Sequence, residues 1–238
     1  MSDQEKPVYL MNMTWKNVLF AHWSYPVEEL QQILPEGMEV DTFEGRAYVG
    51  IVPFFMEDVR ARFMPPQTSF AFPELNLRTY VKVNGEKGVY FFSLDASNPL
   101  AVELARRLFH LNYYHSAFSC ETNGDDTRYV HQRQKSPARF VGQYQPEGEV
   151  FYSKPGTLEY FLTERYRLFS SSGSQLFKGD IHHSQWPLQK ASMYLKETSL
   201  FEVNSLTMPE EKPHLLYSKG VHVLANRIRK VPDSAPIV

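Results

Sequence analysis

Residues 73–95 run Pro73-Glu-Leu-Asn-Leu-Arg-Thr-Tyr-Val-Lys-Val83, then Asn84-Gly85, then Glu86-Lys-Gly-Val-Tyr-Phe-Phe-Ser-Leu-Asp95. In the first run Leu75, Leu77, Thr79, Val81 and Val83 alternate with Glu74, Asn76, Arg78 and Tyr80. Successive side chains on a strand point to opposite faces, so this is a strand with one apolar and one polar face. Asn-Gly readily takes the positive φ angles of a two-residue hairpin turn, which returns the chain into a second strand over Gly88 to Asp95.

Working outward, Ser97-Asn98-Pro99 is a helix start, with Asn98 as the cap and Pro99 in the first turn. Leu100, Leu104 and Leu108 recur every four residues, flanked by Ala101, Ala105 and Leu111, which predicts an amphipathic helix packed outside the sheet. A shorter helix is expected from Pro26 to Leu34, where Val27, Leu30, Ile33 and Leu34 share a face and Pro35-Glu36-Gly37 stops it. Gly45 to Met56 reads as a strand that Pro53 makes irregular or places at an edge. Further strands are expected over Tyr129 to Gln132, Arg139 to Tyr144, Tyr166 to Ser170, Gln175 to Ile181, Met193 to Glu202 and Leu216 to Leu224. Leu158 to Arg165 reads as a third helix, and Ser170 to Ser174 as a hairpin loop. Many strands with a few dispersed helices give an α+β class, mainly antiparallel, with the sheet curled into a β-barrel and helices at its flanks. The 238 residues are read as one domain, 1–238, with loose ends at 1–7 and 231–238.

Composition narrows the partners. Twenty-five Lys and Arg against 27 Asp and Glu leave almost no net charge, so neither nucleic acid nor an anionic membrane is expected. Cys120 is the single cysteine, which excludes an internal disulfide and a cysteine-rich metal site. The first residues carry no basic stretch followed by an apolar run, and the longest apolar stretch, Tyr48 to Met56, is too short to span a bilayer. The chain therefore reads as cytoplasmic. No cofactor is implied, and whether the chain forms a homo-oligomer is left open.

Four stretches carry a resemblance: His22-Trp23, Asp41 through Pro53-Phe54, Pro73 to Val81 together with Gly88 to Asp95, and Phe161-Leu-Thr-Glu-Arg-Tyr166 with His183-Ser-Gln-Trp186. This ordered set resembles the YqjF-like family, a bacterial domain of unknown function, over nearly the whole chain. More distantly it is similar to the acetoacetate decarboxylase-like fold, a β-barrel with an internal pocket. In that decarboxylase the helix after the second strand leads to a loop with a Lys-Lys pair; the matching loop here reads His110-Leu-Asn-Tyr-Tyr-His115. Schiff-base decarboxylation needs an amine whose pKa a neighbouring cation depresses. No two lysines are adjacent in this chain, so that mechanism is not expected.

Glu74, Asn76, Arg78 and Tyr80 are the leading candidates. They either face water or line the pocket, and a mixture of carboxylate, amide, guanidinium and phenol suits ligand orientation. A buried Arg78 must be met by Glu74, another carboxylate or an incoming anion. The expected ligand is a small anionic or carbonyl compound, anchored by Arg78 and assisted by Asn76, Tyr80 and Tyr114. An alternative is an enzyme using Glu74 or His115 as acid/base, and a third reading is a structural or partner-binding module with a filled barrel. Glu164 and Arg165 are expected to take separate partners, and Arg106-Arg107 to be solvated. His182-His183 point to opposite faces of a strand and cannot chelate together, so no metal site is expected. Cys120 is read as buried and inert.

Overall fold

The computed structural model describes residues 9–232. The strand that decided the fold is covered on both faces. It lies in β4 (Phe70–Val83), and turns at Asn84-Gly85, both with positive φ, into β5 (Glu86–Ala96). Leu75, Leu77, Val81 and Val83 enter one apolar cluster with Trp23, Phe140 and Phe201. On the other side lies a second cluster that includes Phe20, Val52, Phe54, Leu94 and Trp186.

The remaining strands are β1 (Tyr9–Tyr25), β2 (Glu39–Val40), β3 (Ala47–Ala61), β6 (Tyr113–Asn123), β7 (Asp126–Arg133), β8 (Arg139–Phe151), β9 (Arg167–Ser172), β10 (Gln175–His183), β11 (Leu188–Thr198), β12 (His214–Asn226) and β13 (Arg229–Lys230). Helices α1 (Val27–Ile33), α2 (Pro99–Phe109), α3 (Leu158–Thr163) and α4 (Leu200–Val203) lie between them. All described strands join one sheet in the order β13-β10-β9-β5-β6-β7-β8-β11-β12-β1-β3-β4-β2, with further pairings of β10 with β12 and β4 with β5. Pairing is antiparallel except between β5 and β6 and between β5 and β9. The α2 segment is the crossover that the β5–β6 parallel pair requires.

β3 runs through Pro53 as an inner strand, not as an edge. The irregularity foreseen there is real but lies in the pairing. Between the Lys16–Phe55 and Ala21–Ile51 partners, four residues of β1 oppose three of β3, and Asn17 takes a positive φ of 48°. Such a bulge lets a residue without an N–H sit inside a sheet.

Three expectations are corrected. Helix α2 packs on the sheet as expected but is not wholly outside it: Val102 is buried with Leu94 and Ala96, and Ala101 and Ala105 line a cavity together with Glu74, Asn76 and Arg78. The Asn98 side chain caps the helix by accepting from the Leu100 and Ala101 N–H groups, and in that orientation Leu100 is 62% exposed. The strand expected over Met193 to Glu202 stops at Thr198, and α4 turns Leu200 and Phe201 into the core. Val231 is not loose, because it is buried and its N–H donates to the Leu176 carbonyl at 2.9 Å. Residues 1–7 and 233–238 lie outside the described residues. No described helix is long and apolar enough to cross a membrane.

Candidate functional site

The polar face of β4 opens onto a cavity of about 410 Å³. Glu74, Asn76 and Arg78 line it, and each is nine-tenths or more buried. Alternation along the strand puts all three on one wall. Most of the rest is apolar, including Val18, Phe20, Val52, Phe54 and Trp186, with α2 contributing Ala101 and Ala105.

Glu74 marks one end of the polar row. The Tyr129 hydroxyl sits 2.8 Å from its backbone carbonyl and 3.1 Å from that of Phe54, which ties β4 to β3 at this point. The Tyr113 hydroxyl donates to Glu74 Oε2 at 2.8 Å. Burial raises the Glu74 carboxyl to about 8; the Tyr113 hydrogen bond opposes this and the nearby Asp95 charge adds to it. Glu74 is therefore largely a neutral acid at pH 7, able both to donate and to accept.

Asp95 keeps its charge. Burial pushes its carboxyl up, but Arg133 grips it through two bonds of 2.8 and 2.7 Å and holds it below the usual carboxylate range. Ser116 donates to the same carboxylate at 2.7 Å. His131 Nε2 lies 3.1 Å from the same carboxylate and adds to that lowering, while its Nδ1 has no hydrogen-bond partner.

Arg78 marks the other end. It lies four positions along the strand from Glu74, roughly 13 Å between Cα atoms, so the two do not pair directly. Its guanidinium donates to the Leu162 carbonyl at 3.2 Å, lies 3.5 Å from the Tyr80 hydroxyl and sits 5.4 Å from the centre of the Phe20 ring. Among the described residues no carboxylate forms an ion pair with it, and its Nε has no hydrogen-bond partner. Asn76 Oδ1, next along the wall, is likewise unpaired.

Behind Arg78 is a fixed network. The Tyr80 hydroxyl donates to the Leu162 carbonyl at 2.6 Å and meets His22 Nε2 at 2.7 Å. Since that hydroxyl has one proton, His22 Nε2 is the donor to it, which leaves Nδ1 bare and unpaired. Burial, then the charges of Arg78 and His214, push the His22 ring well below its ordinary pKa and keep it neutral. The ring fits because residue 50 is glycine, where a Cβ would lie 2.4 Å from His22 Cδ2 and Nε2.

The structure thus brings Glu74, Asn76 and Arg78 into one cavity and places Tyr80 one layer behind, fully buried against Phe161 and Leu162. Tyr114 and His115 are not among the lining residues. Tyr114 lies under the Arg133 guanidinium at 3.8 Å, and His115 Nε2 meets the Ser97 carbonyl at 3.1 Å. The expected loop of residues 110–115 ends early: β6 begins at Tyr113, which pairs with Leu94 and turns its ring inward. Tyr113 and His183 are lining residues that sequence reasoning did not assign to the site. As foreseen for adjacent strand residues, His182 is exposed while His183 is buried; His183 Nδ1 donates to the Ser184 carbonyl at 2.7 Å. Glu164 and Arg165 do take separate partners: Glu164 accepts from the Trp186 N–H and the Tyr166 hydroxyl, whereas Arg165 pairs with Asp41 at 2.8 Å. Arg106 is exposed yet donates to the Tyr113 carbonyl at 2.6 Å, and Arg107 bonds Glu103. Among the described residues no group of three or more His, Cys, Asp or Glu is placed to hold a metal, and no lysine lines the cavity.

A family model described as an uncharacterized conserved protein matches residues 12–222. The uncharacterized protein YqjF of Bacillus subtilis (strain 168) is 41% identical over 225 residues, covering 94% of this chain and 93% of the relative. Among solved structures, the enduracididine biosynthesis enzyme MppR complexed with pyruvate superposes with a TM-score of 0.68 at 9% identity, covering 98% of this chain and 94% of that one. Acetoacetate decarboxylase from Legionella pneumophila superposes at 0.62 and 15% identity, covering 98% and 92%. At these identities the likeness shows the fold, which is acetoacetate decarboxylase-like, and not the activity.

Proposed function

Since the chain belongs to the DUF2071 family of uncharacterized conserved proteins, we propose its function from the cavity itself: it binds a small carboxylate or carbonyl compound, with Arg78 as the anchor. The pairings of β4 with β5 and of β10 with β12 link strands far apart in the sheet order, and we read the sheet as a barrel wrapped around this cavity. The observation that carries the proposal is the Arg78 guanidinium, buried in the wall without a carboxylate partner among the described residues. A buried unpaired cation is costly, and an entering anion relieves that cost. Asn76, beside it, and neutral Glu74, further along, supply hydrogen bonds that a carboxylate or ketone can use. MppR, whose structure is a complex with pyruvate, has the same fold and supports the ligand class by analogy.

The test is a thermal-shift screen of small organic acids on the wild type and on Arg78→Met. At hundredfold excess over Kd a binder stabilises by about 2.7 kcal/mol, which is a shift of about 5–10 °C for a chain of this size. The substitution is expected to abolish the shift. If no acid moves the melting temperature, or if Arg78→Met keeps the full shift, the anchor role is wrong.

One observation favours a catalytic version of this reading. Glu74, with a carboxyl near 8 and Tyr113 on one oxygen, is suited to proton transfer near neutral pH. Deuterium exchange from water into the carbon next to a bound ketone, followed by NMR and lost in Glu74→Gln, distinguishes an enzyme from a binding protein. Lysine chemistry has no support, and borohydride reduction in the presence of acetoacetate is expected to leave no lysine adduct.

A further inference from the structure

The cavity's chemistry is one-sided. Glu74, Asn76 and Arg78 occupy a single strand face, while the surroundings include Val18, Phe20, Val52, Phe54, Leu94 and Trp186. Of the three other arginines that line it, Arg165 is engaged by Asp41 and Arg167 by Asp180 and Glu86, while half-buried Arg60 donates to the Met64 carbonyl at 3.4 Å. The apolar lining also continues outward. Met64, Phe70 and Leu100 belong to it and are all exposed large hydrophobic side chains. A very short, fully hydrophilic acid would satisfy Arg78 and leave the rest of this lining without a partner.

Resting on the reading that Arg78 anchors a carboxylate, we propose that the ligands are monocarboxylates with an extended apolar tail. The head sits on Arg78 and Asn76, and the tail lies along Phe20, Phe54 and Ala105 towards Met64, Phe70 and Leu100. A volume of about 410 Å³ holds on the order of a dozen water-sized groups, which is room for a carboxylate and a chain of about nine further carbons. Each buried methylene strengthens binding by about fourfold until the cavity is full.

The experiment is a calorimetric titration of the full chain with straight-chain carboxylates from butanoate to dodecanoate, each below its micellar concentration, with the matching alcohols in parallel. Affinity is expected to climb about fourfold per methylene to roughly ten carbons and then level off, and each acid is expected to bind more tightly than its alcohol. Ala105→Phe, which fills part of the tail wall, is expected to move the plateau to shorter chains. The wild-type series does not depend on that variant folding. Affinity that is flat or falls with length while short acids still bind overturns the tail and leaves the anchor standing. No binding by any acid overturns the anchor reading as well. Alcohols that match their acids show apolar binding without the head-group contact and also overturn the proposal.

Discussion

Glu74→Gln should make the protein more stable, by an amount that grows with pH. The substitution keeps the shape of the side chain and leaves an oxygen to accept from Tyr113, while removing the ability to ionise. In the unfolded chain the carboxyl titrates near 4.5, and in the folded protein near 8. Between these values the folded state holds a proton that the unfolded state has released, so wild-type stability falls as pH rises. The contribution is intact below 4.5 and lost progressively up to 8. A shift of about 3.5 units corresponds to about 5 kcal/mol, with a slope of about 1.4 kcal/mol per pH unit. The assay is guanidinium-induced unfolding of both proteins at intervals from pH 4.5 to 8.5. Subtracting the two curves removes every group they share, including His22 and His183. The variant's advantage should be small at pH 4.5 and level off above 8. A difference that does not change with pH would refute the reasoning, because it would mean that Glu74 is already ionised inside the fold.

Other perturbations test the surroundings of the site. Gly50→Ala places a methyl group 2.4 Å from the His22 ring, which must leave the Tyr80 hydroxyl; we expect a loss of about 1–3 kcal/mol, seen as a lower melting temperature, and an unchanged one would show that the ring moves freely. Arg133→Met strips the two guanidinium bonds from buried Asp95 and should cost about 3–5 kcal/mol in urea unfolding; a loss below 1 kcal/mol would mean that Asp95 finds another partner or takes up a proton. The Cys120 thiol, raised by burial to about 12 from about 9, should react with iodoacetamide at pH 8 about a thousandfold more slowly in the folded protein than in the denatured chain, and similar rates would show an open thiol.

What could be read in advance followed local rules. The alternation of residues 74–83, the Asn84-Gly85 turn and the Asn98 cap each depend on neighbours in sequence, and all three are in the structure. Strand β1 was missed because its information is not local. Val18-Leu-Phe-Ala-His-Trp23 is buried on both faces between β3 and β12, so it lacks a period of two, and the bulge at Asn17 breaks what rhythm precedes it. His22 was noticed only as part of a resemblance, since nothing in sequence places it under Tyr80, 58 residues away. Tyr113 was assigned to a loop by the resemblance to the decarboxylase, whereas α2 ends on His110 in the left-handed region and β6 begins at Tyr113. On the polar face of β4, alternation revealed which residues share a wall; that they face a cavity and not water depends on α2, β1 and β3 closing over them.

The pairing of β1 with β12 has a consequence for how the protein is made. Twelve register partners tie residues 9–22 to residues 214–226, so an interior seam of the sheet joins strands far apart in sequence. On a ribosome adding about 5–20 residues per second, β1 waits roughly 10–40 s for its partner to be synthesised. During that interval its apolar run from Val18 to Trp23 lacks one of its two neighbouring strands, and an open strand edge is a template for association with other chains. The final topology can therefore form only after synthesis has passed residue 226, and nascent chains halted before that point should depend on chaperones in a way that the released protein does not.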